Sequence, residues 1–150
     1  MSKKIVYHGT TIDRAKKILD EGIIKNTEND RYIDTTKGFV YVTERLCDAL
    51  DFSTRPGINT NRMEFAVFRI LIDDAELIHD EDEEKWTSTL SVAGEKFCYR
   101  IAKSLMIGRE VVAFWHKKMK NNREIGNFMQ SIQYGEKTID ESEWEILCHD

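Results

Sequence analysis

The stretch IVYHGTT, residues 5–11, decides how the chain is read. A β-branched pair, Ile5-Val6, runs into Tyr7 and His8, which marks a short strand over residues 4–8. Gly9 follows, and Thr10 stands three residues before Asp13, a variant of the box that starts helices. Ile12, Ala15, Ile18 and Leu19 then recur at helical spacing. Lys16 and Lys17 suit the later half of that helix, and Gly22 supplies its stop. The strand end therefore carries a titratable ring, a flexible backbone and two hydroxyls within four residues, 8–11. That density of chemistry makes it a candidate site as well as a turn.

Outward from this segment the pattern alternates between strands and helices. Ile23-Ile24 reads as an apolar connection, and residues 25–37 as a polar loop. GFVYVT, residues 38–43, has the composition of a strand, and Thr43 can cap a short helix through about Phe52. Residues 53–62 form a second loop. MEFAVFRILI, residues 63–72, is apolar almost throughout, as expected of a central strand. Residues 88–107 carry Leu90, Ala93, Phe97, Ile101 and Leu105 at spacings of three or four, which predicts a helix. Residues 110–120 fit either element, and SEWEILCHD at the end alternates as a last strand. The expectation is an α+β fold, a single domain over residues 1–150, with no repeats and one proline, Pro56.

Composition limits the function classes. Apolar residues are 41% and charged residues 33%, the balance of an ordinary globular chain. No apolar run approaches the ~18–20 residues that cross a bilayer. The N-terminus lacks a signal-peptide core, so a cytoplasmic protein with no membrane partner is expected. A net charge of -5 argues against non-specific coating of nucleic acid, although the basic stretch HKKMKNNR, residues 116–123, leaves room for local contact. Cys47, Cys98 and Cys148 have no zinc-ligand spacing and read as buried or incidental thiols; no metal is expected. The acidic run Asp80–Glu84 lacks the glycine of a calcium loop and reads as solvated. His79, His116 and His149 receive no role.

Three separated pieces look like one design: His8-Gly9-Thr10, then Tyr41 with Phe52 eleven positions on, then Glu143-Trp144-Glu145. On a strand, residues two apart share a face, so Glu143 and Glu145 are expected to project together. Each residue has a plain alternative. His8 can be a turn residue, Tyr41 and Phe52 can be core, and the two glutamates can be a solvated face. Thr10 is a helix cap on either view.

The ordered trio resembles the ADP-ribosyltransferase superfamily, on the His-Tyr-Glu branch of diphtheria toxin and the poly(ADP-ribose) polymerases. The matching residues run in the family's order from residue 5 to residue 147: YHGT before a helix closing at ILDEGI, the strand GFVYVT, and the late E-x-E. The resemblance implies a split β-sheet core with flanking helices and a cleft for NAD, which is the substrate. It implies that His8 and Thr10 meet a ribose, that Gly9 meets the nicotinamide carboxamide through its backbone, and that Tyr41 and Phe52 enclose the nicotinamide ring. Glu145 would stabilise the sugar cation as nicotinamide leaves, and Glu143 would orient an acceptor. A loop with Arg31 and Tyr32 would lie over the cofactor. The implied activity is transfer of ADP-ribose to a protein or nucleic-acid acceptor. NAD glycohydrolysis and an inactive NAD- or ADP-ribose-binding module are the alternatives.

Overall fold

The computed structural model describes residues 2–26, 38–54, 64–79, 97–133 and 138–147. Nine strands and three α-helices lie within them: β1 Lys3–Thr10, α1 Ile12–Glu21, β2 Ile23–Ile24, β3 Val40–Thr43, α2 Leu46–Thr54, β4 Glu64–Asp73, β5 Ile78–His79, β6 Cys98–Ile101, β7 Leu105–Met106, β8 Val111–Lys118, α3 Asn122–Gln133 and β9 Glu145–Ile146. Seven strands form one antiparallel sheet in the order β5-β6-β3-β1-β4-β8-β9, and β2 pairs with β7 in a second, small sheet. The fold class is mixed α+β. No described helix is long and apolar enough to cross a membrane.

The sheet is covered on both faces, which explains why β4 reads as nearly continuous apolar sequence. On one face Val6, Val40, Val42, Phe68, Ile70 and Phe114 pack with Ile12, Ala15 and Ile18 of α1. On the other, Phe65, Val67, Ala113 and Trp115 pack with Ala49 and Leu50 of α2, Phe128 of α3 and Trp144. Helix α1 is bounded as its sequence implies at the C-terminal end: Gly22 sits at φ 76° and donates its N–H to the Ile18 carbonyl. Its N-cap is Thr11, whose hydroxyl accepts from the Arg14 N–H at 3.2 Å, rather than Thr10. Thr10 continues β1 opposite Ala66 and is fully buried.

Three further elements differ from their sequence patterns. Residues 97–107 hold β6 and β7 in place of the end of a helix. Phe97, Ile101 and Leu105 are four apart, a spacing that satisfies a strand's period of two as well as a helix's turn. Ile23-Ile24 is strand β2, paired to Met106 and Leu105. Glu141–Glu143 is a 3-10 turn, so only Glu145 and Ile146 form the last strand. The acidic run at 80–84, the loop with Arg31 and Tyr32, Cys148 and His149 lie outside the described residues.

Strand β9 is held mainly by Trp144. Its ring lies 4.2 Å below the Arg69 guanidinium and 6.0 Å from Tyr7, and it is 6% exposed. Arg69 also clasps Glu141 through two bonds of 2.7 and 2.8 Å. Glu141 is 70% exposed, so solvent screens that pair, whereas burying a tryptophan contributes about 3–5 kcal/mol.

Helix α2 lies against β1 so closely that a Cβ on Gly9 would stand 1.8 Å from the Ala49 carbonyl oxygen. Only a glycine admits that approach. Gly9→Ala is therefore expected to lower the unfolding free energy in urea by about 3 kcal/mol. A loss below about 0.5 kcal/mol would show that α2 does not press on this strand.

Candidate functional site

Strand β1 is fully paired to β4, from Lys3 opposite Asp73 to Thr10 opposite Ala66. Strand β3 is fully paired to β6, from Val40 opposite Ile101 to Thr43 opposite Cys98. Between these two halves the ladder holds a single pair, Tyr7 opposite Thr43. Past it, His8–Thr10 and Val40–Val42 form no further ladder pair among the described residues.

Which backbone groups face this seam follows from alternation. Along an antiparallel strand the N–H and C=O of successive residues address opposite edges. The Asp74 N–H donates to the Ser2 carbonyl, and the buried Ser53 hydroxyl bridges the Thr10 carbonyl (2.9 Å) and the Ala66 N–H (2.8 Å). Even-numbered residues of β1 thus address β4, and Tyr7 and Gly9 address β3. On β3, the Glu44 N–H donates to the Phe97 carbonyl, so Val40 and Val42 address β6 and Tyr41 addresses β1. Gly9 and Tyr41 present their peptide groups to the same seam, yet no Gly9–Tyr41 pair follows among the described residues. The His8 imidazole enters instead: its Nδ1 lies 2.8 Å from the Tyr41 carbonyl oxygen. A carbonyl only accepts, so Nδ1 carries the proton in the neutral ring and Nε2 is its acceptor nitrogen.

Side chains divide by face. His8 leaves β1 with Val6 on the α1 face and is half-buried. Tyr41 leaves β3 with Thr43, which is opposite Tyr7, on the α2 face and is also half-buried. Helix α2 brings Ala49 onto Gly9, Ser53 onto Thr10, and half-buried Phe52 in the same turn. The structure therefore gathers His8, Gly9, Tyr41 and the Phe52 turn around one seam. Thr10 joins them only through its backbone, since its side chain is wholly buried.

Glu145 and Glu143 do not join them. Glu145 shares a face and a row with His8, through Phe68 and Phe114, but three strand steps of ~4.8 Å put it about 14 Å away. The two intervening phenylalanines are buried, with ring centroids 4.8 Å apart. Tyr41 is one strand farther and on the opposite face. A nicotinamide ring is bonded directly to its ribose, so Tyr41 and Glu145 cannot both touch that unit in this arrangement. Exposed Glu143 ends the 3-10 turn on the same distant edge. The strand register does not give the expected convergence of imidazole, phenol and carboxylate: His8 and Glu145 share the α1 face about 14 Å apart, and Tyr41 leaves on the α2 face.

The start of α2 is anchored by a group that the sequence pattern does not reveal. Asp48 is fully buried and accepts from Arg45 Nε and Nη2, both at 3.0 Å, and from the Thr43 hydroxyl at 3.1 Å. The Arg45 guanidinium resists deprotonation more than usual; its burial acts against this, but the Asp48 bonds prevail. Cys47 is buried, and burial pushes its thiol up, which removes thiolate character and leaves it a packing residue. Among the described residues no group of acidic, cysteine and histidine side chains could hold a metal ion.

On the far side of β3 from the seam, Tyr99 donates to Glu44, beside Lys4, whose ammonium is 3.1 Å from Glu44. Burial first, and the Glu44 bond second, push the Tyr99 phenol up to about 12. The folded value lies above the free value, so the contribution to stability is present below pH ~10 and is lost as pH rises through about 12. Absorbance titration of tyrosinate should show a phenol ionising near pH 12 that is missing in Tyr99→Phe. An unchanged titration in that variant would place the late phenol elsewhere.

Comparison with family models, curated proteins and solved structures returns no match.

Proposed function

We propose that the protein binds NAD with the nicotinamide end in the seam between β1 and β3, and that it is an NAD-dependent ADP-ribosyltransferase acting on a macromolecular acceptor. The observation that carries this is the interrupted ladder: the Gly9 peptide groups address β3, and among the described residues no strand pair takes them up. A primary carboxamide offers one acceptor and two donors, which complements an N–H and C=O edge much as a neighbouring strand does. Tyr41 then supplies an aromatic face for the ring from the α2 side, with Phe52 close by. The His8 ring, its Nδ1 2.8 Å from the Tyr41 carbonyl oxygen, stands at the edge of the seam on the α1 side.

In the reaction the bond from the ribose carbon to nicotinamide breaks, nicotinamide leaves with the electron pair, and an acceptor nucleophile closes on the sugar cation and releases its proton. Such a cation is stabilised by a nearby fixed carboxylate. Glu145 stands too far from the seam for this in the present arrangement. That distance favours a second reading, in which the protein binds the nucleotide without cleaving it.

Incubation with NAD labelled in its adenylate half separates these readings. Released nicotinamide with label in protein or nucleic acid supports transfer, and nuclease treatment identifies the acceptor class. Free ADP-ribose without labelled macromolecule indicates glycohydrolysis, and binding without nicotinamide release indicates the module. Absence of NAD binding by the unaltered protein overturns the proposal. Tyr41→Ala is expected to weaken NAD binding about tenfold, the size of one lost ring stack. Glu145→Gln is expected to leave nicotinamide release within about twofold; a loss of roughly 100-fold would return that carboxylate to the reacting carbon.

A further inference from the structure

Arg100 has no part in the roles above; it stands on β6, one strand beyond the seam and beside Tyr41. It is opposite Tyr41 in the β3–β6 ladder and opposite Ile78 on its other side. Directly opposed residues share a face, so Arg100 leaves the sheet beside Tyr41 on the α2 side. Its guanidinium lies 4.6 Å over the Phe39 ring. Its Nε is buried and meets no acceptor among the described residues. Other arginines of the sheet and its turns are engaged: Arg45 by Asp48, Arg69 by Glu141, Arg109 by Glu110. Arg100 has no carboxylate at ion-pair distance among the described residues.

A guanidinium stays charged at any working pH, and its planar fork matches phosphate oxygens in pairs. Stacking on Phe39 fixes the plane of the fork before a ligand arrives. Buried donors in folded proteins almost always have an acceptor, and a charged guanidinium pairs most strongly with an anionic one. Arg100 is one strand step, about 5 Å, from Tyr41 on the side away from Gly9. With a nicotinamide ring against Tyr41, the ribose and the phosphate that follow it can extend toward Arg100. The geometry points to Arg100 as an anion-binding residue that receives the pyrophosphate of the dinucleotide whose nicotinamide enters the Gly9 seam. The identity of the ligand rests on the NAD proposal; the anion site rests on Arg100, Phe39 and their strand neighbours.

The test is titration calorimetry of the full chain and of Arg100→Gln and Arg100→Lys with NAD, ADP, inorganic pyrophosphate and nicotinamide riboside. The expected result is that Arg100→Gln weakens NAD and ADP by about 10- to 100-fold and leaves nicotinamide riboside unchanged. Arg100→Lys should fall between, because it keeps the charge and loses the fork. The thermal unfolding temperature of both variants should fall by no more than the Phe39 stack contributes, a few degrees, since no internal acceptor is lost. Equal affinity of Arg100→Gln and the unaltered protein for NAD and ADP overturns the anion role and leaves the NAD proposal standing. Equal loss for nicotinamide riboside also overturns it, since the effect would be structural. Arg100-dependent binding of ADP and pyrophosphate without NAD or nicotinamide riboside upholds the anion site and overturns the NAD proposal. No binding of any probe overturns both. If Arg100→Gln does not fold, the Arg100→Lys comparison decides on the same terms.

Discussion

The two halves of the main sheet are joined along β1 and β3 by one strand pair, Tyr7 with Thr43. Everything at the candidate site depends on that ladder ending there. Had it continued, Gly9 and Tyr41 would satisfy each other, and the seam would be ordinary sheet. The His8 imidazole takes the Tyr41 carbonyl in place of a main-chain partner. It meets the demand of one half-buried acceptor without a second strand pair. On the α2 side, the bare Cα of Gly9 lets the helix backbone close down, so the seam is roofed by Ala49 and the turn that carries Phe52.

The surrounding packing makes this local parting tolerable. Strand β1 relies on β4 along its entire length, including the Ser53 hydroxyl that bridges the last pair. Strand β3 relies on β6, and the Asp48 carboxylate ties its end to α2 through Thr43 and Arg45. A buried charge of this kind is costly to leave half-made, by about 3–5 kcal/mol, which keeps the end of β3 and the start of α2 in one rigid corner. The two sides of the seam are each anchored to their own outer neighbours, so neither needs the other.

Part of this was legible in the residues. Helix α1 could be placed because apolar spacing, lysines and Gly22 agree on one element. Strand β4 could be placed because residues 63–72 are apolar almost throughout, and Phe65, Ala66, Val67, Phe68, Ile70 and Ile72 are buried, as a central strand requires. The HGT segment stood out through the density of its chemistry; the structure sets Ala49 and Ser53 of α2 against Gly9 and Thr10, and the His8 ring against the Tyr41 carbonyl. The rest was hidden for physical reasons. Apolar residues four apart at Phe97, Ile101 and Leu105 satisfy both periods, so β6 was masked as helix, and with it Arg100 as a neighbour of Tyr41. Ser53 reads as loop because nothing in a serine announces a buried bridge. Glu143 and Glu145 alternate as on a strand, but Asp140 accepts from the Ser142 N–H and turns the chain into a 3-10 turn first. Which edge β9 would take is decided by Trp144 packing near Trp115, a contact between distant positions that no local pattern contains.

The most direct measurement is residue-resolved amide hydrogen exchange by NMR on the free protein and with NAD. The Gly9 amide faces the seam, whereas the amides of His8 and Thr10 address β4. The expected result is that Gly9 exchanges faster than both neighbours in the free protein and becomes protected when NAD is added. A Gly9 amide as protected as His8 and Thr10 without ligand, and unchanged by NAD, would mean that the ladder closes and that no nucleotide enters there.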